Sequence, residues 1–189
     1  MAGRVPARCL ATPNEVAARI FDLARELDGR HPEGCVLVGV LRGALFFLAD
    51  LARAMHTPVE LDFIGLRPFI AGEPGLRLSH DLSSPVAGRP VVLVEDLVDT
   101  GLTARWLADQ IRSRHARSVT VCTLVDRAAG RLIAFEPDLA GFRIDDETVV
   151  GAGLDHAGRY RNVPGLWLVD PAVLADEPDA YLMDLFQRG

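Results

Sequence analysis

The run Val91-Val92-Leu93-Val94, followed at once by Glu95-Asp96, constrains this chain more than any other feature. Consecutive apolar residues leave no polar face for water, so the run fits a strand covered on both sides, as in a parallel sheet. Parallel strands need crossover helices, and the next segment supplies one. Ala104, Leu107, Ala108 and Ile111 recur at helical spacing, and Val119-Thr120-Val121-Cys122-Thr123-Leu124-Val125 then reads as the second strand of a βαβ unit. The expected class is α/β, a central parallel sheet flanked by helices. Such sheets bind ligands outside the carboxyl ends of their strands. Here that edge would carry two adjacent acids, then Asp99 and the turn Thr100-Gly101-Leu102-Thr103.

This turn suits a phosphate. Gly101 permits the backbone conformation of a tight loop. The hydroxyls of Thr100 and Thr103 can donate to phosphate oxygens. The loop opens a helix, read over 103–114, whose free N–H groups and positive dipole end favour an anion. Glu95 and Asp96 would repel a phosphate, but they can bind sugar hydroxyls or hold Mg2+ as hard oxygen ligands. A sugar diphosphate with a metal satisfies every group at once. A solvated acidic turn would explain an isolated Glu-Asp pair, but not the whole string from Val91 to Thr103.

The remaining elements fit the same class. Thr12-Pro13-Asn14-Glu15 is a capping box with Pro at the first helical position, and Val16, Ile20, Leu23 and Leu27 continue that helix to about Gly29. Cys35 to Val40 reads as a buried strand, Ala44 to Met55 as a helix, and Val59 to Ile64 as a strand. Leu41-Arg42-Gly43 lies between strand and helix and is a second candidate anion site by the same electrostatics. Residues 65–90 lack periodicity and hold four prolines and four glycines. A connection that long is expected to be functional or mobile. Val149-Val150 and Leu166 to Val169 are candidate short strands. At 189 residues the simplest organisation is one domain.

A net charge of −6 argues against nucleic acid as the main partner. All 20 basic residues are Arg. Cys9, Cys35 and Cys122 are scattered, without metal-ligand spacing, and fit reduced thiols of a cytoplasmic protein. Neither an export signal nor a membrane-spanning run is expected.

The string from Val91 to Thr103 resembles the phosphoribosyl-diphosphate motif of the type I phosphoribosyltransferases, in the form of the hypoxanthine-guanine branch. The resemblance covers residues of about 12–171. It implies the type I fold, with a small hood over the carboxyl edge built from the N-terminal segment and about 140–170, and 65–90 as a lid. It implies that Leu41, Arg42, Gly43, Glu95, Asp96, Asp99, Thr100, Gly101, Leu102, Thr103 and Arg161 bind phosphoribosyl diphosphate, with a non-proline cis peptide at Leu41–Arg42. Leu97, Arg127, Thr148, Val149, Leu154 and Asp155 would bind the base, Arg127 donating to the 6-oxo group where the family has Lys. Glu95, Asp96 and Asp155 would serve Mg2+, and Asp99 would share the proton at purine N7. A homodimer or homotetramer is implied.

Three departures from the family's pattern bear on the base. Thr148 replaces an aromatic that stacks on the purine, Ala152 replaces a Tyr, and Pro68-Phe69 replaces the Ser-Tyr pair of the lid. Phe69 and Trp167 are candidates to cover the exposed base face. The leading expectation is phosphoribosyl transfer to hypoxanthine or guanine. The alternatives are another or modified base, such as xanthine or a deazapurine, and a regulator that keeps the fold without turnover.

Overall fold

The computed structural model describes residues 5–67 and 76–188. Strand β1 (Arg8–Ala11) leads into helix α1 (Pro13–Arg30). The capping box forms as read: the Thr12 hydroxyl oxygen accepts from the Glu15 N–H at 3.3 Å, and the Glu15 carboxylate accepts from the Thr12 N–H at 2.8 Å. Val16, Ile20, Leu23, Ala24 and Leu27 form the buried stripe of α1. Strand β2 (Cys35–Leu41) is apolar throughout and buried from Cys35 to Val40. Helix α2 (Leu45–Ala54), β3 (Val59–Leu66) and a short β4 (Leu78–His80) follow. Then come β5 (Pro90–Val98), α3 (Leu102–Ser113), β6 (Ser118–Arg127) and β7 (Leu139–Ile144). Strands β8 (Thr148–Val150) and β9 (Leu166–Val169) and helices α4 (Pro171–Asp176) and α5 (Leu182–Arg188) end the chain.

The main sheet has the order β4-β3-β2-β5-β6-β7, and β5 lies in its middle. All its pairs are parallel except β3 with β4. Its two faces bury separate clusters. Val92 and Val94 pack with α1 and α2, while Val91 and Leu93 pack with Leu107, Ala108 and Ile111 of α3. That two-sided burial is what the unbroken apolar run requires. A second, antiparallel sheet joins β1, β9 and β8. Tyr160, Trp167, Leu174, Tyr181 and Leu185 form a third cluster beneath it.

Several boundaries differ from the sequence reading. Strand β5 runs on to Val98, so Glu95 and Asp96 sit inside the strand rather than in the turn after it. Pairing with β6 continues through Glu95, Leu97 and Val98, and this ladder outweighs the low strand propensity of the acids. Strands β1, β4 and β7 were not anticipated, because short or edge strands carry little periodicity. The described part of 65–90 is not featureless. Leu78 and His80 pair with β3, and the buried Asp62 carboxylate accepts from the Ser83 and Ser84 N–H groups, each at 2.9 Å. Pro68 and Phe69 lie outside the described residues. No described helix is long and apolar enough to cross a membrane.

Candidate active site

The carboxyl edge of β2 and β5 gathers two groups of residues, one on each side of the sheet. Neighbours in a strand point to opposite faces, and Glu95 and Asp96 divide in that way. Asp96 meets the loop after β2. The Leu41–Arg42 peptide is cis. Gly43 lies so close that an added Cβ would fall 1.5 Å from Asp96 Oδ2. The Arg42 side chain is exposed. Over this loop leans the segment after β8: a Cβ on Gly153 would lie 2.7 Å from the Gly43 carbonyl oxygen. Arg161 ties the two together. It donates to Gly153 O at 2.7 Å, pairs with Asp155 at 2.6 Å, and lies 4.0 Å from Asp96. Burial raises the Asp96 carboxyl, against the Leu97 N–H and Arg161, which hold it down, while Asp155 adds to the rise.

On the other side, Glu95, Leu97, Val98, Asp99, Thr100, Gly101, Thr103 and Ala104 line a cavity of about 260 Å³. Gly101 adopts φ +82°, and a Cβ there would press on Phe135 at 3.0 Å, so the turn requires glycine. The Thr100 hydroxyl oxygen accepts from the Leu102 N–H at 3.3 Å, leaving the hydroxyl proton free to donate outward. Leu102 does not line the cavity; its side chain is exposed. Glu95 is buried, and its Oε1 has no hydrogen-bond partner. Burial, and then the Asp96 charge, push its carboxyl well above the usual range. An orphaned buried acceptor of this kind costs stability unless a ligand meets it.

Asp99, which lines this cavity, pairs with Arg127. Arg127 Nε donates to Asp99 Oδ1 at 2.9 Å and Nη2 to Oδ2 at 2.5 Å. That pairing raises the Arg127 pKa. Arg127 Nη1 also reaches the Glu147 carbonyl at 3.4 Å, just before Thr148.

Val149 and Leu154 are buried in the core, which leaves their backbone groups to meet a base, the atoms the resemblance implies. The structure does not unite every expected residue. The three carboxylates expected to serve a metal do not form one cluster, because strand alternation separates Glu95 from Asp96. Among the described residues no group of three His, Cys, Asp or Glu could hold an ion. Trp167 does not cover a base face: it is packed in the third cluster, with its indole N–H donating to Pro164 O at 2.8 Å.

Two residues that sequence reasoning passed over brace the cradle. Arg131 pairs with the buried Asp126 and donates to the carbonyls of Val98, Asp99 and Phe135. Gly130 lets this segment close on Asp99, since a Cβ there would fall 1.9 Å from Asp99 Oδ1. The available signal was Asp126 itself: an acid ending an apolar strand needs a buried partner.

The sequence pattern of the phosphoribosyl transferase domain matches residues 10–157. This chain belongs to the phosphoribosyl transferase family. The hypoxanthine-guanine phosphoribosyltransferase of Bacillus subtilis is 36% identical over 172 residues, covering 88% of this chain and 94% of that one. The bifunctional protein TilS/HprT of Listeria innocua is 38% identical over 176 residues; the match takes 89% of this chain but spans only 27% of that protein's length. Among solved structures, a hypoxanthine phosphoribosyltransferase from Staphylococcus aureus superposes with a TM-score of 0.82 at 29% identity, covering 88% of this chain and 92% of that one. One from Trypanosoma cruzi superposes with a TM-score of 0.85 at 29% identity, over 92% and 96%. The family's α/β architecture, a mostly parallel sheet flanked by helices, is the one seen in this chain.

Proposed function

We propose that the protein transfers the 5-phosphoribosyl group from phosphoribosyl diphosphate to a ring nitrogen of a 6-oxopurine, hypoxanthine or guanine, and releases pyrophosphate. The observation that carries this reading is the pairing of Asp99, the residue before the cradle turn, with Arg127. It sets a carboxylate acceptor beside a guanidinium donor. A 6-oxopurine presents the complement, a ring N–H at N7 next to the O6 acceptor. The base would take over both partners of the ion pair, Asp99 accepting the N7 proton as general base. A 6-aminopurine would set its amino donors against Arg127 and leave the guanidinium unmatched.

The other groups serve the donor. The turn from Thr100 to Thr103 would anchor the 5-phosphate, where binding energy supplies orientation. Glu95 and Asp96 offer acceptors to the ribose hydroxyls. Arg42, Arg161 and the Gly43 backbone would meet the departing diphosphate and stabilise its growing charge. Mg2+ needs only one or two carboxylates beside water and phosphate oxygens. Asp96 and Asp155, bracketing Arg161, fit that requirement. When bound, the ion would neutralise charge on the leaving diphosphate. Segment 65–90 would act as a lid against water.

A second reading keeps the chemistry and changes the base. Thr148 and Ala152 offer no ring to stack on a purine, and Trp167 is turned away. Losing such a ring weakens base affinity by about 1–3 kcal/mol. A modified base or xanthine would then be the acceptor. A panel of hypoxanthine, guanine, xanthine, adenine and deazapurines, assayed for pyrophosphate release with phosphoribosyl diphosphate, tests both. Release with hypoxanthine or guanine is the expected result; turnover confined to another base would favour the second reading. Tight binding without turnover on any base would leave a regulator.

The apolar groove of about 510 Å³ that includes Phe21, Phe46 and Pro164 gives the expected homodimer or homotetramer a surface to bury. The three cysteines are free, which suits a reducing cytoplasm.

A further inference from the structure

We infer that Arg131 is a positioning residue for the 5-phosphate subsite: it holds the backbone of the cradle from behind, so that peptide N–H groups face the phosphate. The inference rests on the assignment of the turn from Thr100 to Thr103 to that phosphate. Its own support is the direction of three successive carbonyls. The Arg131 guanidinium takes Val98 O at 2.9 Å and also the Asp99 O beside it. The Thr100 carbonyl accepts from the Leu132 N–H at 3.1 Å. In a trans peptide the carbonyl and the N–H of the same plane point in opposite directions. The planes carrying Asp99 O and Thr100 O are also those of the Thr100 and Gly101 N–H groups. Holding both carbonyls on the 131–132 side therefore turns both N–H groups toward the open side of the loop. Left-handed Gly101 then starts α3.

The clamp is itself braced. The Arg131 side chain is 14% exposed and the Asp126 side chain 4%. Arg131 Nε is spent on Phe135 O at 2.9 Å. Arg143 stands 3.7 Å from the other Asp126 oxygen. Each nitrogen of the guanidinium is thus engaged by the protein. Arg131 acts through the loop it holds. A lysine ammonium could meet Asp126 or the carbonyl pair from its one nitrogen, but could not hold Asp126, Phe135 O and both carbonyls together as the three nitrogens of the guanidinium do.

The test is a pair of titrations on the full chain, with ribose 5-phosphate as the probe of the cradle and inorganic pyrophosphate as the probe of the Arg42–Arg161 side. Asp126→Asn/Arg131→Gln removes the clamp without stranding a buried charge, whereas Arg131→Gln alone would leave the buried Asp126 without its closest cation. The expected result is ribose 5-phosphate affinity weakened about tenfold or more, pyrophosphate affinity within about twofold of wild type, and a raised KM for phosphoribosyl diphosphate, as follows when charge-assisted hydrogen bonds that aim a loop are lost. Arg131→Lys should recover only part of the lost affinity. Unchanged ribose 5-phosphate binding in the folded double variant overturns the assignment, and so does an equal loss for both ligands, which is what general loosening would give. Wild-type protein that binds no ribose 5-phosphate would instead overturn the phosphate subsite itself.

Discussion

Gly43→Ala tests whether the loop after β2 and Asp96 form one rigid unit. The added methyl carbon would lie 1.5 Å from Asp96 Oδ2, 2.2 Å from its Cγ and 2.8 Å from Oδ1. Relief to an ordinary separation of about 3.5 Å requires a shift of about 2 Å. If Asp96 moves, it loses the Leu97 N–H at 2.9 Å and its approach to Arg161. If the loop moves, the Gly43 carbonyl is driven into Gly153 and the hood behind it. Overpacking of this kind costs about 1–3 kcal/mol of stability. A displacement of about 1 Å in a positioning group already costs about 10²-fold in rate. Pyrophosphate release should therefore fall by at least that factor, and chemical unfolding should show the stability loss. In an Asp96→Ala background the obstruction is gone, and the same substitution should cost close to nothing in stability. Wild-type turnover by Gly43→Ala would refute the reasoning, as would an equal stability loss in both backgrounds.

Asp99→Asn should leave the fold intact and cut turnover by at least ~10²-fold, as for a lost general base; near-normal steady-state rates would sink the assignment. Arg127→Met should raise KM for the 6-oxopurine about tenfold or more, the loss of a charged donor worth about 1.5–3 kcal/mol, with phosphoribosyl diphosphate binding little changed; equal losses for both substrates would count against a base contact. Glu95 supplies a pH dependence. Its carboxyl is raised in the folded protein by burial and then by Asp96. A raised acid contributes stability that is complete below the unfolded value of about 4.3 and is lost as pH rises through the folded value. Glu95→Gln should thus match wild type in Tm at about pH 4 and melt higher at about pH 8, as the unfolded chain releases that proton more readily. A Tm offset independent of pH would rule out the titration of Glu95 as its source.

Much of the site is local in the chain, and local patterns are readable. The apolar run of β5, the acids and the turn follow one another without interruption, so one string specifies strand, carboxylates and the start of α3. The same holds for Thr12 to Glu15, where the cap and its helix are neighbours. Edge strands were harder to read. Strand β7 alternates little, and its exposed edge is met by Arg19 of α1, which donates to Ala140 O at 2.7 Å and Gly141 O at 3.0 Å. Such partners lie far apart in the chain, where a residue pattern has no reach.

The sequence by itself determined the buried parallel strand, the helix N-terminus beside it and the chemical types gathered at their junction, because burial and backbone geometry act on neighbouring residues. The tertiary structure decided which of those types meet. It set Glu95 and Asp96 on opposite faces, brought Asp155 and Arg161 to Asp96, paired Asp99 with Arg127, and placed Arg131 behind the cradle. These contacts depend on the order of strands and the lean of the hood over the β2 loop. They follow from packing whole elements together, and no spacing within a single segment encodes them.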